Sequence, residues 1–518
     1  YWRDWSSDVC SSDLTGNVAV GGLGVSYTAL NSNTTGSYNT ALGNGALGQN
    51  TTASYNTAVG YQALYSNVTG AENAAFGFRA LDVSTGSYNN AFGSETLGSN
   101  TSGSNNTAFG HSALGSNTTA SSNTAVGYQA GYANTTGTGI VALGFQAGYS
   151  GTTGGEVTAI GYSAARLGVT ASGITAIGTN ALVNNTANNN TAVGGNALNG
   201  NTTGTGNVAV GNGAYNSTNG ALGSNTTGSY NTAVGMQSLL SNTTASYNTS
   251  LGYQAGYSNT TGAYCTFLGY QAGYSSVSVA NNTFIGEYAG QATTGGSNNF
   301  FGSGAGYLVT SGAKNTIIGS YSGNQGGLDI RTASNYIVLS DGDGNPRGIY
   351  TSGGNYLVGC VALPSATVEG FTVSGTSSGN RTSSGASTTA YNHWLFYNGN
   401  GIVGSISTSG STTTYNTSSD YRLKDNIQAM TGALAKVQAL KPVTYKWKAD
   451  GSNGEGFIAH ELAEVVPQCV TGDKDAVDAE GNPVYQGIDT SFLVATLTAA
   501  IQELKAEVDS LKSQLKGA

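Results

Sequence analysis

The sequence predicts a mainly β protein: a repetitive β-solenoid or β-roll of about 17-residue units, a slender β stalk, and a small α+β module ending in a coiled-coil helix. Three observations predict it. A glycine that follows an apolar triplet recurs in steps of 16 or 17, from Gly43, Gly60, Gly77 and Gly93 to Gly211, and again from Gly235 to Gly319. Charge is divided: 8 Asp, Glu, Lys and Arg lie between Thr15 and Gly326, against 24 between Ser418 and Ala518. The last segment spaces its apolar residues alternately three and four apart.

The repeats come first. NTALGNGALGQNTTASY (39–55), NTAVGYQALYSNVTGAE (56–72) and NTAFGHSALGSNTTASS (107–123) are three of the units. Each reads as short strand, turn, short strand, turn. Alternation in the NTAVG stretch is the period-two signal of a strand. Glycine admits a backbone turn or close packing on a neighbour. Asn, Thr and Ser form the outer turn, where their side chains bond local backbone. One unit buries almost nothing, so units must stack and share a core of small apolar side chains. So thin a core calls for help from other chains, and a homotrimer is expected. The Asn-x-Thr triplets match glycosylation sequons, but their regular place in the turns favours a structural role. The Tyr residues are read either as ring stacks between coils or as solvent-facing platforms for sugars. Carboxylates in the repeats (Glu72, Asp82, Glu95, Glu156 and Glu287) are scattered singly, which argues against a glycan-cleaving site.

Composition limits the function. The chain has 518 residues with 80 Gly, 5 Pro and only 8% charged residues. Its net charge of −9 argues against a nucleic-acid partner, which needs clustered Lys and Arg. No stretch is apolar and long enough to insert in a membrane. The first fourteen residues, YWRDWSSDVCSSDL, read as the translation of a DNA-sequencing adapter and are set aside, with the natural N-terminus expected upstream. Beyond Cys10, the thiols Cys265, Cys360 and Cys469 are far apart and show no CxxC spacing, so free thiols are expected. Only His111, His393 and His460 are present, and His460-Glu461 lacks the second His of a zinc-protease signature because position 464 is Glu464. No metal and no cofactor are expected.

Residues 15–326 are assigned to the β-roll, 327–417 to the stalk and 418–518 to the module. YIVLSDGDGNPRGIY (336–350) reads as strand, turn, strand: Pro346 stands where a calcium loop has its glycine, and Ser352 where it has its bidentate Glu. In the stalk, HWLFY (393–397) and GIVGSIS (401–407) are strand-like. TGALAKVQALK (431–441) is a helix stopped by Pro442, and VTYKWK (443–448) a half-buried strand with Val443, Tyr445 and Trp447 inward. GFIA (456–459) and PVYQGID (483–489) are further strands, and HELAEVV (460–466) is a short helix. A final helix runs over 490–516 with Val494, Leu497, Ile501, Leu504, Val508, Leu511 and Leu515 on an a/d seam, which favours self-association.

Ser418-Ser419-Asp420-Tyr421-Arg422-Leu423-Lys424 places a serine five positions before a lysine. Serine becomes a nucleophile when a base takes its proton, and a partly desolvated lysine is such a base. The combination SSDYRLKDNI (418–427), LKPVTYKWK (440–448), GFIAHELAEVVP (456–467) and the terminal heptads resembles the intramolecular chaperone and auto-processing domain of phage endosialidases and related tail spikes and fibres. The repeats in turn resemble the β-roll heads of trimeric surface adhesins and, more closely, repetitive phage tail fibres.

The resemblance implies a domain that trimerises, helps the upstream fibre fold and then cuts itself off. It implies Ser419 as nucleophile, Lys424 as base and Ser418–Ser419 as the scissile bond, with Asp420 and Arg422 as a supporting ion pair. Partial burial would neutralise Lys424, and cutting is conditional if Ser419 and Lys424 meet only in the assembled trimer. The chain is then expected in a virion, with a host cell-surface glycan as receptor and other tail proteins as partners. The alternative is a bacterial surface adhesin without proteolysis. An ice-binding solenoid is disfavoured because the Thr pairs lie in turns.

Overall fold

A computed structural model describes residues 15–21, 28–213, 220–358, 369–373, 381–384, 391–398, 401–479 and 481–517. The adapter-like segment, Cys10 and Cys360 lie outside the described residues. The chain divides into two compact units, 1–394 with 406–414, and 395–405 with 415–518.

The first unit is a β-solenoid. Among the described residues, eighteen strands of three or four residues, from Val18–Val20 to Thr316–Ile318, pair in parallel, each with the strand of the next coil. Register is strict: Thr107, Ala108 and Phe109 face Thr124, Ala125 and Val126. The middle residue points inward and is buried, Ala in most coils. The outward neighbours are Thr or another uncharged residue on one side and Val, Leu, Ile or Phe on the other.

The expected second strand of each unit is not a strand. After Gly110 the chain passes through Ser112 at φ 53° and Leu114 at φ 51°, two left-handed residues within three positions. A coil of seventeen residues must turn its corner there, and an extended segment would carry Leu114 past the core. Backbone pairing survives the turn, because Leu114 N–H donates to Ala130 O at 2.9 Å and Ser112 N–H to Ser94 O at 2.9 Å. The conserved phase of the glycines has a similar cause. Gly127 has φ +133°, and a Cβ there would lie 2.5 Å from Gly144 O in the next coil.

Two internal rows of Asn lock coil to coil. Asn106 is fully buried; its Oδ1 accepts from Asn123 N–H at 3.0 Å and its Nδ2 donates to Ala120 O at 2.9 Å. Asn117 Nδ2 donates to Asn100 Oδ1 at 2.8 Å in the second row. Where Ile140, Val157 and Ile174 replace Asn in the first row, Gly151 and Gly168 interrupt the second. Losing both polar partners together avoids an unpaired buried group. Asn106→Ala is expected to cost roughly 1–3 kcal/mol, since the buried Asn123 N–H loses its partner while Ala120 O keeps the bond from Asn117 Nδ2. Faster amide exchange at Asn123 checks this, with the exposed Thr119→Ala as an unaffected control.

The core changes filling along the solenoid. Ala108 faces a coil in which Leu114 is buried, whereas Phe267, Phe284 and Phe300 are buried in coils with Gly273, Gly290 and Gly306 at the matching place. A Cβ on Gly273 would meet the Phe267 ring at 2.4 Å. In those coils large and small residues exchange sides. The solenoid closes on Tyr321, fully buried, whose hydroxyl donates to Leu328 O at 2.9 Å. Ile337–Ser340 still pairs in parallel with Thr316–Ile318, then hairpins antiparallel onto Pro346–Tyr350. The turn between them holds Asp341, which accepts from Asn345 N–H at 2.8 Å and from Arg347 Nε at 2.9 Å, so a hairpin occupies the calcium-loop-like residues.

Tyrosines of the coils stack on one another and also face solvent. Tyr230, Tyr247 and Tyr264 have ring centroids 5.4 and 5.2 Å apart and are each more than half exposed.

The stalk strands are Tyr391–Asn398, Gly401–Ser409 and Thr412–Thr417. In the C-terminal unit, helix α1 (Ala433–Ala439) precedes a hairpin of Val443–Lys446 with Asn453–Gly456. Helix α2 (Ala459–Val465) follows, then a turn of 3-10 helix at Pro467–Cys469 and a two-residue ladder of Val470–Thr471 with Gly487–Ile488. Helix α3 spans Leu493–Gly517. The hairpin strand lies earlier than the expected GFIA, because Gly456 already ends the pairing with Val443 and Ile458 caps α2. The expected strand over 483–489 shrinks to Gly487–Ile488. Trp447, expected inward, is 56% exposed in the turn after the strand and packs edge-on against Tyr445. Leu462, Val466, Cys469 and Leu493 form the small core.

Candidate functional site

The site begins where the last stalk strand ends. Ser418 continues the strand: its N–H donates to Val403 O at 3.0 Å and its Oγ to Ile402 O at 2.8 Å. Ser419 is the first residue free of that sheet. Asp420 then caps a single turn of 3-10 helix, Tyr421–Leu423, by accepting from Arg422 N–H at 2.8 Å. Lys424 ends the turn, and its N–H donates to Tyr421 O at 3.1 Å. That turn brings the two predicted residues together, with Lys424 Nζ 2.6 Å from Ser419 Oγ.

The five-residue offset thus has a structural reason. One tight turn fills the gap and returns the lysine to the serine. Arg422 sits between them in sequence but pairs with Asp420, Nε to Oδ1 at 3.0 Å and Nη2 to Oδ2 at 2.7 Å. The Arg422 guanidinium and N–H hold the Asp420 carboxyl below its ordinary range. The contact of Ser419 with Lys424 is made within one chain. Every residue from Ser418 to Lys424 is exposed.

Much apolar surface beside the site is also uncovered. Tyr421 is 74%, Leu423 63% and Ile427 68% exposed. On α3, all seven predicted seam residues, Val494, Leu497, Ile501, Leu504, Val508, Leu511 and Leu515, are exposed, from 36% to 79%. The helix buries Leu493, Thr496 and Ala500 instead. It is joined to α1 through Glu503, whose carboxylate accepts from Ala433 N–H at 3.0 Å and Leu434 N–H at 2.7 Å. Sequence reasoning missed Glu503. Its only signal was an acid on the helix face next to the seam.

The backbone donors to Glu503, Leu434 first, hold its carboxyl below the ordinary range. A depressed carboxyl stabilises the fold above its unfolded pKa, about 4.3, and that contribution disappears as pH falls through the lower folded value. Amides of Ala433 and Leu434 are therefore expected to lose protection as pH falls below about 4. Glu503→Gln should already lack that part of the protection at neutral pH. Hydrogen exchange corrected for intrinsic rate checks both.

Elsewhere the charges are less scattered than the sequence implied. Arg79, Asp82, Glu95 and Ser112 line one groove of about 240 Å³ on adjacent coils. Arg79 Nε lies 3.1 Å from Asp82 Oδ2, and burial nonetheless pushes the Asp82 carboxyl up. The coil spacing that separates these residues in sequence stacks them in space. Cys265 and Cys469 are free and buried, and burial raises both thiols. Cys265 takes an Asn place in the ladder and donates its thiol to Val279 O at 3.3 Å. Glu464, where the zinc-protease signature would have its second His, stands 3.9 Å from Lys441. No described helix is long and apolar enough to cross a membrane.

The chain thus carries a long solenoid and a small module whose terminal helix leaves its apolar seam exposed. Residues 419–471 match the family described as chaperone of endosialidase, so the module carries that domain. The chain is similar to the long tail fiber protein Gp37 of Enterobacteria phage K3, 34% identical over 103 residues, which are 19% of this chain and 8% of that protein. It is equally similar to the long tail fiber protein Gp37 of Enterobacteria phage T2, 34% identical over 103 residues and 7% of that protein. The chain thus spans less than a tenth of the length of these relatives. No solved structure matches it.

Proposed function

We propose that this chain is part of a phage tail fibre whose solenoid extends or presents a host-binding surface, and whose C-terminal module trimerises, guides folding and then releases itself by autoproteolysis. The observation that carries the reading is the 2.6 Å contact of Lys424 Nζ with Ser419 Oγ inside a domain of the endosialidase-chaperone family. The chain is expected in the virion, with a glycan of the host surface as receptor and other tail proteins as partners.

The chemistry proceeds in two steps. Lys424 as the neutral amine takes the Ser419 hydroxyl proton, and Oγ attacks the Ser418 carbonyl carbon. The C–N bond of Ser418–Ser419 breaks as the amine leaves with a proton from the Lys424 ammonium. An ester of Ser418 with Ser419 Oγ remains, and water hydrolyses it to a Ser418 carboxylate and a free Ser419 hydroxyl. Burial favours the neutral amine. The single chain leaves Lys424 exposed, so the covering groups come from neighbouring chains. Assembly then licenses the cut, by desolvating a contact already made rather than by creating it.

Such a device suits the fibre. Chains that pair along their length nucleate slowly and risk aggregation. A trimerising tail raises their local concentration and sets their register. Cutting afterwards removes the template for refolding and leaves the fibre kinetically held. Expression of the whole chain, followed by mass spectrometry and N-terminal sequencing, tests the reading. A C-terminal fragment that begins Ser419-Asp420-Tyr421 is expected; a trimeric chain that stays whole overturns it.

A further inference from the structure

The solenoid carries a stripe that its own fold leaves unexplained. The last residue of every strand points outward and is Val, Leu, Ile or Phe in all eighteen coils. None of these residues is buried. Val20, Leu42, Phe109, Leu251, Phe301 and Ile318, spread over the whole length, are 36–57% exposed. Beyond the glycine, Tyr128, Phe145 and Tyr162 widen the band and are 41–54% exposed. A soluble chain rarely exposes a contiguous apolar patch beyond a few hundred Å².

We infer that this strand face is an interface between copies of the chain, with the stripes of the copies packed against one another in parallel register. The inference rests on the trimer reading and adds where in the solenoid the chains meet. Three arguments select a second copy as the occupant. The first is period: coils repeat every ~4.8 Å, the strand spacing of a sheet, over eighteen strands. A partner must offer apolar groups at that interval over the same length, and another copy does so by construction. The second is charge: no outward position of these strands is charged, so identical faces meet without repulsion. The third is area: roughly 50–100 Å² from each coil gives on the order of 1,000 Å² per copy, above the ~800 Å² per partner of a standard interface. The other outward rows are not continuous: the Tyr row is broken by Glu72, Glu156 and Lys314, and the outer turns carry mostly Thr and Ser.

Cysteine cross-linking in the full chain tests this. Phe109→Cys and, far along the solenoid, Leu251→Cys each remove an exposed side chain, so the coil is retained. The control is Thr119→Cys in an exposed outer turn. A short bismaleimide should join chains through Cys at 109 and at 251 and leave the turn control uncoupled. Native mass is measured on the same samples. If the particles are trimeric while Cys at 109 and 251 stays uncoupled and labels as freely as the control, the interface is wrong and the trimer reading stands. If the mass is that of one chain, the trimer reading itself fails and takes the interface with it.

Discussion

Ser419→Ala is expected to keep the chain at full length, with release of the C-terminal fragment slowed at least ~10²-fold, the lower end of what a positioned acid–base partner and its nucleophile contribute. The reason is local. Ser419 is the residue whose hydroxyl Lys424 reaches, at 2.6 Å, and it directly follows the carbonyl to be attacked. Lys424→Ala should stop the cut equally. Lys424→Arg is the sharper variant: it keeps a cation within reach of the hydroxyl, but a guanidinium does not give up its proton. A chain that still cuts with Arg at 424 would show that charge, not basicity, matters. Ser418→Ala, by contrast, should cut at close to the wild-type rate. Ser418 spends its hydroxyl on Ile402 O and faces no lysine. Clipping of Ser419→Ala at the same bond would sink the nucleophile assignment.

The pairing of Ser419 with Lys424 was reached through the family resemblance and its five-residue offset, and one turn capped by Asp420 fits that offset. The solenoid was legible because a glycine every sixteen or seventeen residues marks a corner where a Cβ would strike the next coil. The apolar middle of each strand was legible for the same reason. What did not read correctly was conformation without a propensity signature. Gln62 and Leu64 favour neither left-handed backbone nor turns by type, yet both adopt positive φ because the coil must close around its core. In the module, one inward assignment failed because the strand ends before it. Trp447 alternates correctly with Tyr445 but lies past the end of the pairing. The groove of Arg79, Asp82 and Glu95 was invisible because stacking, not spacing in sequence, brings them side by side.

Ile501→Asp combined with Leu504→Asp is expected to give a chain that is monomeric by native mass and is not cut. In a trimer each substitution buries three carboxylates on one axis, where like charges and desolvation oppose ionisation together. The module itself should survive. Its core residues Leu493, Thr496 and Ala500 lie on another strip of α3, and Glu503 still caps α1. Circular dichroism of helix and unchanged exchange at Ala433 would establish that. The variant separates contact from covering, because Ser419 and Lys424 stay within reach in each chain while their burial is gone. A monomer that releases the fragment at the normal rate would mean that the exposed dyad needs no neighbour. A monomer that stays whole, and that cuts when fused to an unrelated trimeric coiled coil in the same register, places the switch in assembly itself.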